Sequence, residues 1–413
     1  MNRVKSLNDF DLYEKKILLR LDINAPIDPD TGKIADRTRL EKSLATMVKL
    51  KEAKAATAII AHQGDTLDYQ NLISMREHAE ILSELLGTKV NYIEDVCGPA
   101  AVEAITHLQP GEWILLGNLR YLAEEISTFE TVVKLTPMEM TKTWLVRTLA
   151  PLFDLYANDA FSAAHRNCPS MVAFQTLLPS AAGELFFAEY QALSRILNNP
   201  QHPSVFVLGG AKISDAFGMI AQVLANQTAD TILTTGVVGQ VFLLASGIKL
   251  GQASMAFLDA RNLLPFVEEA KQYLKLYGDR IVMPSDLAYE KDGERRELAL
   301  SSLPLDQAAF MDIGQETVAR YRAVIRQAKT LFVNGPAGVY EDARFSYGTK
   351  EIWSAIADAD GYSVMGGGDS VSAAKQFIDS SKIDYQCTAG GAMVRFMTGK
   401  PLPLIKAMES SLG

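Results

Sequence analysis

The sequence predicts an α/β protein of two domains, each built on a mainly parallel sheet, with a linker helix between them. Three observations carry this. Short apolar strands alternate with helix-patterned stretches along almost the whole chain, the rhythm of βα units. The length, 413 residues, exceeds the roughly 250–300 residues at which single cores stop growing. The hydrophobic share of 48%, with no low-complexity tract, is ample for two buried cores.

Taken in order, strands are expected in the first half at KILLRLDI (16–23), ATAIIAHQ (56–63), EWILLGNLR (112–120) and LYANDAF (155–161). The stretch PSAAGELFFAEYQALSRILNNP (179–200) then reads as the linker helix. Pro179 and Ser180 are expected to start it and Asn198-Asn199-Pro200 to stop it, with Leu185, Phe186, Leu193, Ile196 and Leu197 at helical spacing. Beyond it, strands are expected at SVFVLGG (204–210), DTILTTG (230–236), RIVMPSD (280–286), TLFVNGP (330–336), YSVMGGG (362–368) and YQCTAGG (385–391). The N-terminal domain is thus expected over 1–178, the linker over 179–200, and the second domain from 201.

Composition excludes several function classes. A formal net charge of -9 argues against nucleic acid as the main partner. MNRVKSLNDFDLYEKK has no apolar run of the kind that marks a signal peptide, and no stretch approaches the roughly 20 apolar residues of a membrane span. Cys97, Cys168 and Cys387 are scattered, with no CxxC pair, so neither a zinc site nor a disulfide framework is expected. A reducing cytoplasm is the expected setting.

In open α/β sheets, ligands bind beyond the carboxyl ends of the strands. In the first half those ends carry Asp22, Asn24, His62, Asn118, Arg120, Asn158 and Asp159, with Arg39 nearby and Arg166 just beyond. Arginine grips carboxylate or phosphate through a planar fork, so Arg39, Arg120 and Arg166 with His62 suit a small anion; taken singly, each also reads as a structural ion-pair residue. The second half carries glycines. In GGAKISD, Gly209 and Gly210 let a phosphate approach the backbone, and Lys212 supplies a mobile charge. In GGGDS, Gly366, Gly367 and Gly368 lead into a helix starting near Ser370, an anion site, with Asp369 placed to reach magnesium on a bound phosphate; a tight turn with an aspartate cap reads equally well. In NGPAGVYE, Asn334 belongs to a common turn string, and Glu341 is a solvated residue or a ribose contact. Neither GxxxxGK[ST] nor a GxGxxG after the first strand occurs.

RLDINAPID, LLGNLRY, YANDAFSAAHR, LGGAKISD, DIG, VNGPAGVYE, GGGDS and TAGGA occur in that order. As a set they resemble the phosphoglycerate kinase family, over residues 12 to 408, with IIAHQG and DPDTGKIADRTRL nearest its archaeal branch. The resemblance implies two Rossmann-like domains with a hinge, the second over 201–390, and a segment 391–413 returning to the N-terminal domain. It implies reversible phosphoryl transfer between ATP and the carboxylate of 3-phosphoglycerate, with Mg2+, in a cytoplasmic monomer. Carried over by position, Asp22, Asn24, Arg39, His62, Arg120 and Arg166 match the acid site. Arg39 and Lys212 match the residues that clamp the transferring group. Gly210, Asn334, Glu341, Gly366, Gly367, Gly368 and Ser370 match nucleotide contacts, and Asp369 the metal contact.

Where the family has an arginine after H-x-G, this chain has Asp65; Gly117, Ala216, Ala337, Ala389 and TGVV (235–238) are further departures. Two alternatives stand beside the main reading. One is a divergent paralogue that phosphorylates another small carboxylic acid, motivated by Asp65. The other is a non-catalytic nucleotide-binding protein, against which the joint presence of Arg39, Lys212 and Asp369 argues.

Overall fold

A computed structural model describes residues 3–65 and 67–412. The chain divides into two compact units, one running through Tyr190 and resuming at Pro401, the other Gln191–Lys400. No helix among the described residues is long and apolar enough to cross a membrane.

The first unit is built on a six-stranded parallel sheet of β1 (Lys16–Leu21), β2 (Ala56–Ile60), β3 (Val90–Tyr92), β4 (Trp113–Leu115), β5 (Leu155–Asp159) and β6 (Ser180–Ala182), in the order β3-β4-β2-β1-β5-β6. Helices cover both faces, so the central strands are largely apolar: on β1, Ile17, Leu18, Leu19 and Leu21 are fully buried. The order reverses at β1, which pairs with β2 on one side and β5 on the other, and the crevice beyond their carboxyl ends is where ligands bind in such sheets.

The second unit repeats this logic. Its parallel sheet holds β7 (Ser204–Leu208), β8 (Thr231–Thr234), β9 (Ile281–Val282), β13 (Thr330–Asn334), β14 (Tyr362–Gly366) and β15 (Tyr385–Gln386), ordered β15-β14-β13-β7-β8-β9. The switch lies between β7 and β13, where Leu208 pairs with Asn334. A separate antiparallel sheet is formed by β10 (Asp286–Lys291), β11 (Glu294–Ala299) and β12 (Phe310–Ile313). Asp292 and Gly293, both at positive φ, make the tight turn between β10 and β11.

The structure corrects two expectations. Pro179 and Ser180 do not start a helix: Ser180–Ala182 pairs with Tyr156–Asn158 as an edge strand, and the helix runs Glu184–Asn198. The later start has a local cause. Buried Asp159 accepts the Phe186 N–H at 2.9 Å in the helix's first turn, and a Cβ at Gly183 would lie 2.3 Å from Asp159 Oδ1. The strand expected over RIVMPSD keeps only Ile281 and Val282, since Pro284 lacks the N–H to continue the ladder. At the other end, the helix Gly390–Met397 stays with the second unit. The helix Pro403–Glu409 packs with the first, where Leu412 bridges Pro179.

Candidate active site

The first unit gathers the expected acid-binding residues beyond β1, β2 and β5. Asp22 follows β1; its Oδ2 lies 2.7 Å from Arg39 Nη1 and also accepts the Ser162 hydroxyl. Arg39, on the helix Thr38–Glu52, keeps nearly half its side chain exposed (45%). Asn24 Oδ1 accepts the Gly64 N–H at 3.1 Å, tying the first loop to the second. Asn118 is structural. It braces the loop after β2, taking N–H bonds from Gln63 and Arg120 and donating to the Gln63 and Ile73 carbonyls.

His62 is buried with its Nδ1 2.9 Å from Arg20 Nη2. A guanidinium only donates, so Nδ1 accepts and the ring proton resides on Nε2. Burial first, then the positive charge of Arg20, Arg120, Arg166 and Arg39, holds the imidazole well below its usual range. At neutral pH His62 is therefore an uncharged Nε2–H donor.

Arg120 is buried, donating to the Gly64 carbonyl at 3.2 Å and to the Glu125 carbonyl. Burial and the neighbouring Arg166 lower its pKa, while Asp65 opposes them. Arg166 donates to Glu130 Oε2 at 2.7 and 3.0 Å and to Ser127 Oγ at 3.1 Å. Asp65 Oδ2 sits 3.8 Å from Arg120 Nε and 3.9 Å from Arg166 Nη1, and accepts the Ser127 hydroxyl at 2.7 Å. Arg76, the other basic group near this loop in sequence, is 60% exposed and paired with Glu94 at 3.4 Å.

Sequence reasoning missed the layer beneath. Arg20, on β1, is fully buried and reaches His62, the Leu21 carbonyl and Ser170 Oγ. Glu125 is also buried and accepts the Ser170 N–H and hydroxyl, each at 2.6 Å, with burial pushing its carboxyl up. An arginine inside an otherwise apolar strand was the available signal for Arg20, because such a charge is not buried without partners. Glu125 gave no signal, lying in a polar loop.

In the second unit, Gly209 and Gly210 after β7 lie against Gly335 and Pro336 after β13. The Gly209 N–H reaches the Asn334 carbonyl at 2.9 Å and the Gly210 N–H the Pro336 carbonyl at 2.8 Å. Gly335 has φ +86°, and a Cβ there would stand 2.2 Å from the Gly209 oxygen. Gly335→Ala is therefore expected to destabilise the unit by at least about 1–3 kcal/mol from the backbone conformation alone, and to weaken nucleotide binding. Urea unfolding and an ADP titration check both. Unchanged values would mean that the close approach is not required.

Two adjoining depressions share Gly210, Ala211, Pro336 and Asp369. The polar one is lined by Lys212, Asn334 and the glycines 367–368 and 390–391. Gly366 closes β14 beneath it, in register with Asn334. Lys212 is exposed just before the helix Ile213–Ala225, and no ion pair or hydrogen bond holds its ammonium among the described residues. Asp369 is exposed in the first turn of the helix Gly368–Phe377. Ser370 is buried beside it, its hydroxyl accepting the Gly335 N–H at 2.8 Å, so the side chain braces the loop. The apolar depression, about 380 Å³, is walled by Phe257, Leu287, Phe310 and Val339, with Glu341 at its edge. A flat aromatic base fits between such walls with its phosphates over the glycines. These apolar walls were also missed: single hydrophobic residues from separate elements carry no motif.

The donor set at Asp369 suits a magnesium ion of a particular kind. No group of three His, Cys, Asp or Glu side chains is assembled among the described residues. One exposed carboxylate beside a phosphate cradle fits a hard ion ligated mainly by nucleotide oxygens and water, the usual manner for Mg2+.

Comparison with known proteins agrees with this geometry. The phosphoglycerate kinase family profile matches residues 7–400. The chain is 40% identical over 411 residues to the phosphoglycerate kinase of Methanothermus fervidus, covering 100% of this chain and 98% of that protein. It is 40% identical over 409 residues to that of Methanothermobacter thermautotrophicus, covering 99% and 97%. The crystal structure of phosphoglycerate kinase from Pyrococcus horikoshii OT3 superposes with a TM-score of 0.84 at 38% identity, over 98% of each chain. The structure from Coxiella burnetii gives 0.85 at 30% identity, over 98% of this chain and 99% of that one. Fold and site define a two-unit α/β phosphotransferase. The chain belongs to the phosphoglycerate kinase family, enzymes that phosphorylate a carboxyl group.

Proposed function

We propose that this protein catalyses reversible phosphoryl transfer between ATP and the carboxylate of 3-phosphoglycerate, with Mg2+. The single observation that carries the reading is full-length family membership with Lys212, Asp369, Arg39, Arg120 and Arg166 all retained. The acid is bound by the first unit, through Asp22, Asn24, Arg39, His62, Arg120 and Arg166. The nucleotide is bound by the second, through Gly210, Lys212, Asn334, Glu341, Gly366, Gly367, Gly368 and Ser370.

In the forward step a substrate carboxylate oxygen attacks the γ-phosphorus. One P–O bond forms, the bond to the β-phosphate oxygen breaks, and ADP leaves as an anion. The attacking carboxylate is already ionised, so no general base is needed. Catalysis then rests on positioning and charge stabilisation. Arg39 and Lys212 offset negative charge on the transferring group, and His62 donates its Nε2–H to the bound acid while remaining neutral. Asp369 would hold Mg2+ with the nucleotide, and the ion would supply charge neutralisation there. On this reading the protein works as a cytoplasmic monomer.

Asp369→Ala is expected to weaken Mg-ADP binding about ten- to a hundredfold, the range for loss of a charge-assisted contact, and to leave 3-phosphoglycerate binding near wild type. Separate calorimetric titrations decide this; equal losses would mean that Asp369 only caps the helix. The activity itself is tested by ATP consumption across a panel of small carboxylic acids. Turnover fastest with 3-phosphoglycerate supports the reading, and preference for another acid overturns it in favour of a paralogue.

A further inference from the structure

Asp65 is a carboxylate set into an arginine pair. One of its oxygens, Oδ2, accepts the Ser127 hydroxyl at 2.7 Å and lies 3.8 Å from Arg120 Nε and 3.9 Å from Arg166 Nη1. Ser127 Oγ also accepts from Arg166 Nη2 at 3.1 Å, closing a small network. The surroundings are substantially withdrawn from water, with side-chain exposures of 24% for Asp65, 3% for Arg120 and 15% for Arg166.

The loop fixes this placement. Gly64 has φ +69°, and a Cβ there would meet the Asn71 carbonyl at 2.4 Å. The Asp68 N–H bonds the Asp65 carbonyl at 3.0 Å, and the Asn71 amide bonds the Asp68 carboxylate at 2.8 Å. The contacts to the arginines are nevertheless long. Charge-assisted N–H···O bonds close to about 2.7–2.9 Å, so Asp65 balances the guanidinium charge without saturating the donors. Arg120 Nε already gives its one hydrogen to the Gly64 carbonyl at 3.2 Å, so a phosphate oxygen able to approach closely would take the Arg166 Nη1 donors in place of Asp65 and share the charge of Arg120.

We propose that Asp65 is a built-in anion that competes with the acid substrate's phosphate for Arg120 and Arg166, and thereby sets the affinity of the site for anions. The inference rests on the phosphoglycerate reading above. Binding the phosphate requires Asp65 to yield or to tolerate a like charge, and two unit charges ~6 Å apart repel substantially even at an effective dielectric of ~20. Adventitious phosphate and sulfate meet the same penalty with no second anchor to offset it. It admits an acid whose carboxylate is also held.

The test uses the full chain with Asp65→Asn, which keeps an acceptor for Ser127 while removing the charge, and Asp65→Glu, which keeps the charge. In Asp65→Asn the KM for 3-phosphoglycerate and the inhibition constant of inorganic sulfate are each expected to fall about tenfold. The effect should lie on KM and not kcat, with KM for Mg-ATP unmoved. Asp65→Glu should stay within about threefold of wild type. Unchanged or weaker sulfate and 3-phosphoglycerate affinity in Asp65→Asn, with an unaltered melting curve, overturns the inference, since Asp65 would then only hold the arginines. Calorimetric titration with 3-phosphoglycerate needs no turnover. Tighter binding in the Asn variant without phosphoryl transfer by any form would uphold the inference and sink the functional reading instead.

Discussion

Replacing Lys212 by alanine is expected to lower kcat by about a hundred- to a thousandfold while leaving the fold intact. The lysine is exposed beside the glycine pair 209–210, and no carboxylate or carbonyl holds its ammonium among the described residues. Its removal therefore opens no cavity and strands no buried partner. A preorganised charge aimed at a transition state typically contributes about 2.7–4 kcal/mol, and nothing in a glycine-lined cradle can replace it. Arginine is not expected to restore the rate, because its planar fork differs in shape and reach from a compact ammonium. Single-turnover phosphoryl transfer at saturating ligands checks this, with circular dichroism as the fold control. A kcat within threefold of wild type would remove Lys212 from the chemistry.

The second large effect concerns pH. Asp312, at the end of β12, is buried, and burial pushes its carboxyl up to about 7 against the stabilising pull of the Gly348 N–H, Arg295 and the Ile313 N–H. A group whose folded pKa is raised stabilises most when protonated. Its contribution is full below about 3.8, its unfolded value, and is lost as pH rises through about 7. The whole interval corresponds to about 4 kcal/mol, of which somewhat over half falls between pH 5 and 7.5. The second unit should thus be less stable at pH 7.5 than at pH 5, and Asp312→Asn should remove that difference. Urea unfolding followed by hydrogen exchange of the second unit measures it, and an identical slope in the variant would contradict the assignment. The apolar depression of the second unit shares in this, because Gly338 and Gly348 both fold against Asp312. A Cβ at either would come within 2.4 Å of its Oδ1.

Much of the fold was legible because a buried parallel strand must be largely apolar, and β1, β2, β4, β5, β7, β8, β13 and β14 each carry a short run of mainly apolar residues. The strands missed were short or lay elsewhere. β3 and β6 have three residues each, and Ser180–Ala182 is too small in side chain to look like a strand. The hairpin of β10 and β11 carried a readable Asp292-Gly293 turn, but its strands are rich in charge because much of their surface faces water. Motif-bearing positions such as Lys212 and Asp369 could be named from sequence. Arg20, Glu125 and the apolar walls of the second unit's depression could not, since their placement comes only from what distant elements set beside them. Asp65 stood out as a departure, but its position between Arg120 and Arg166 is a property of the folded loop.

The most direct test is to identify the bond that is made. With Mg-ATP and 3-phosphoglycerate, 31P NMR of the reaction mixture should show a new acyl-phosphate resonance growing with ADP. Hydroxylamine should trap it as the hydroxamate of 3-phosphoglycerate. Release of inorganic phosphate without an acyl phosphate, or no ATP consumption with this acid while another carboxylic acid is phosphorylated, would contradict the account.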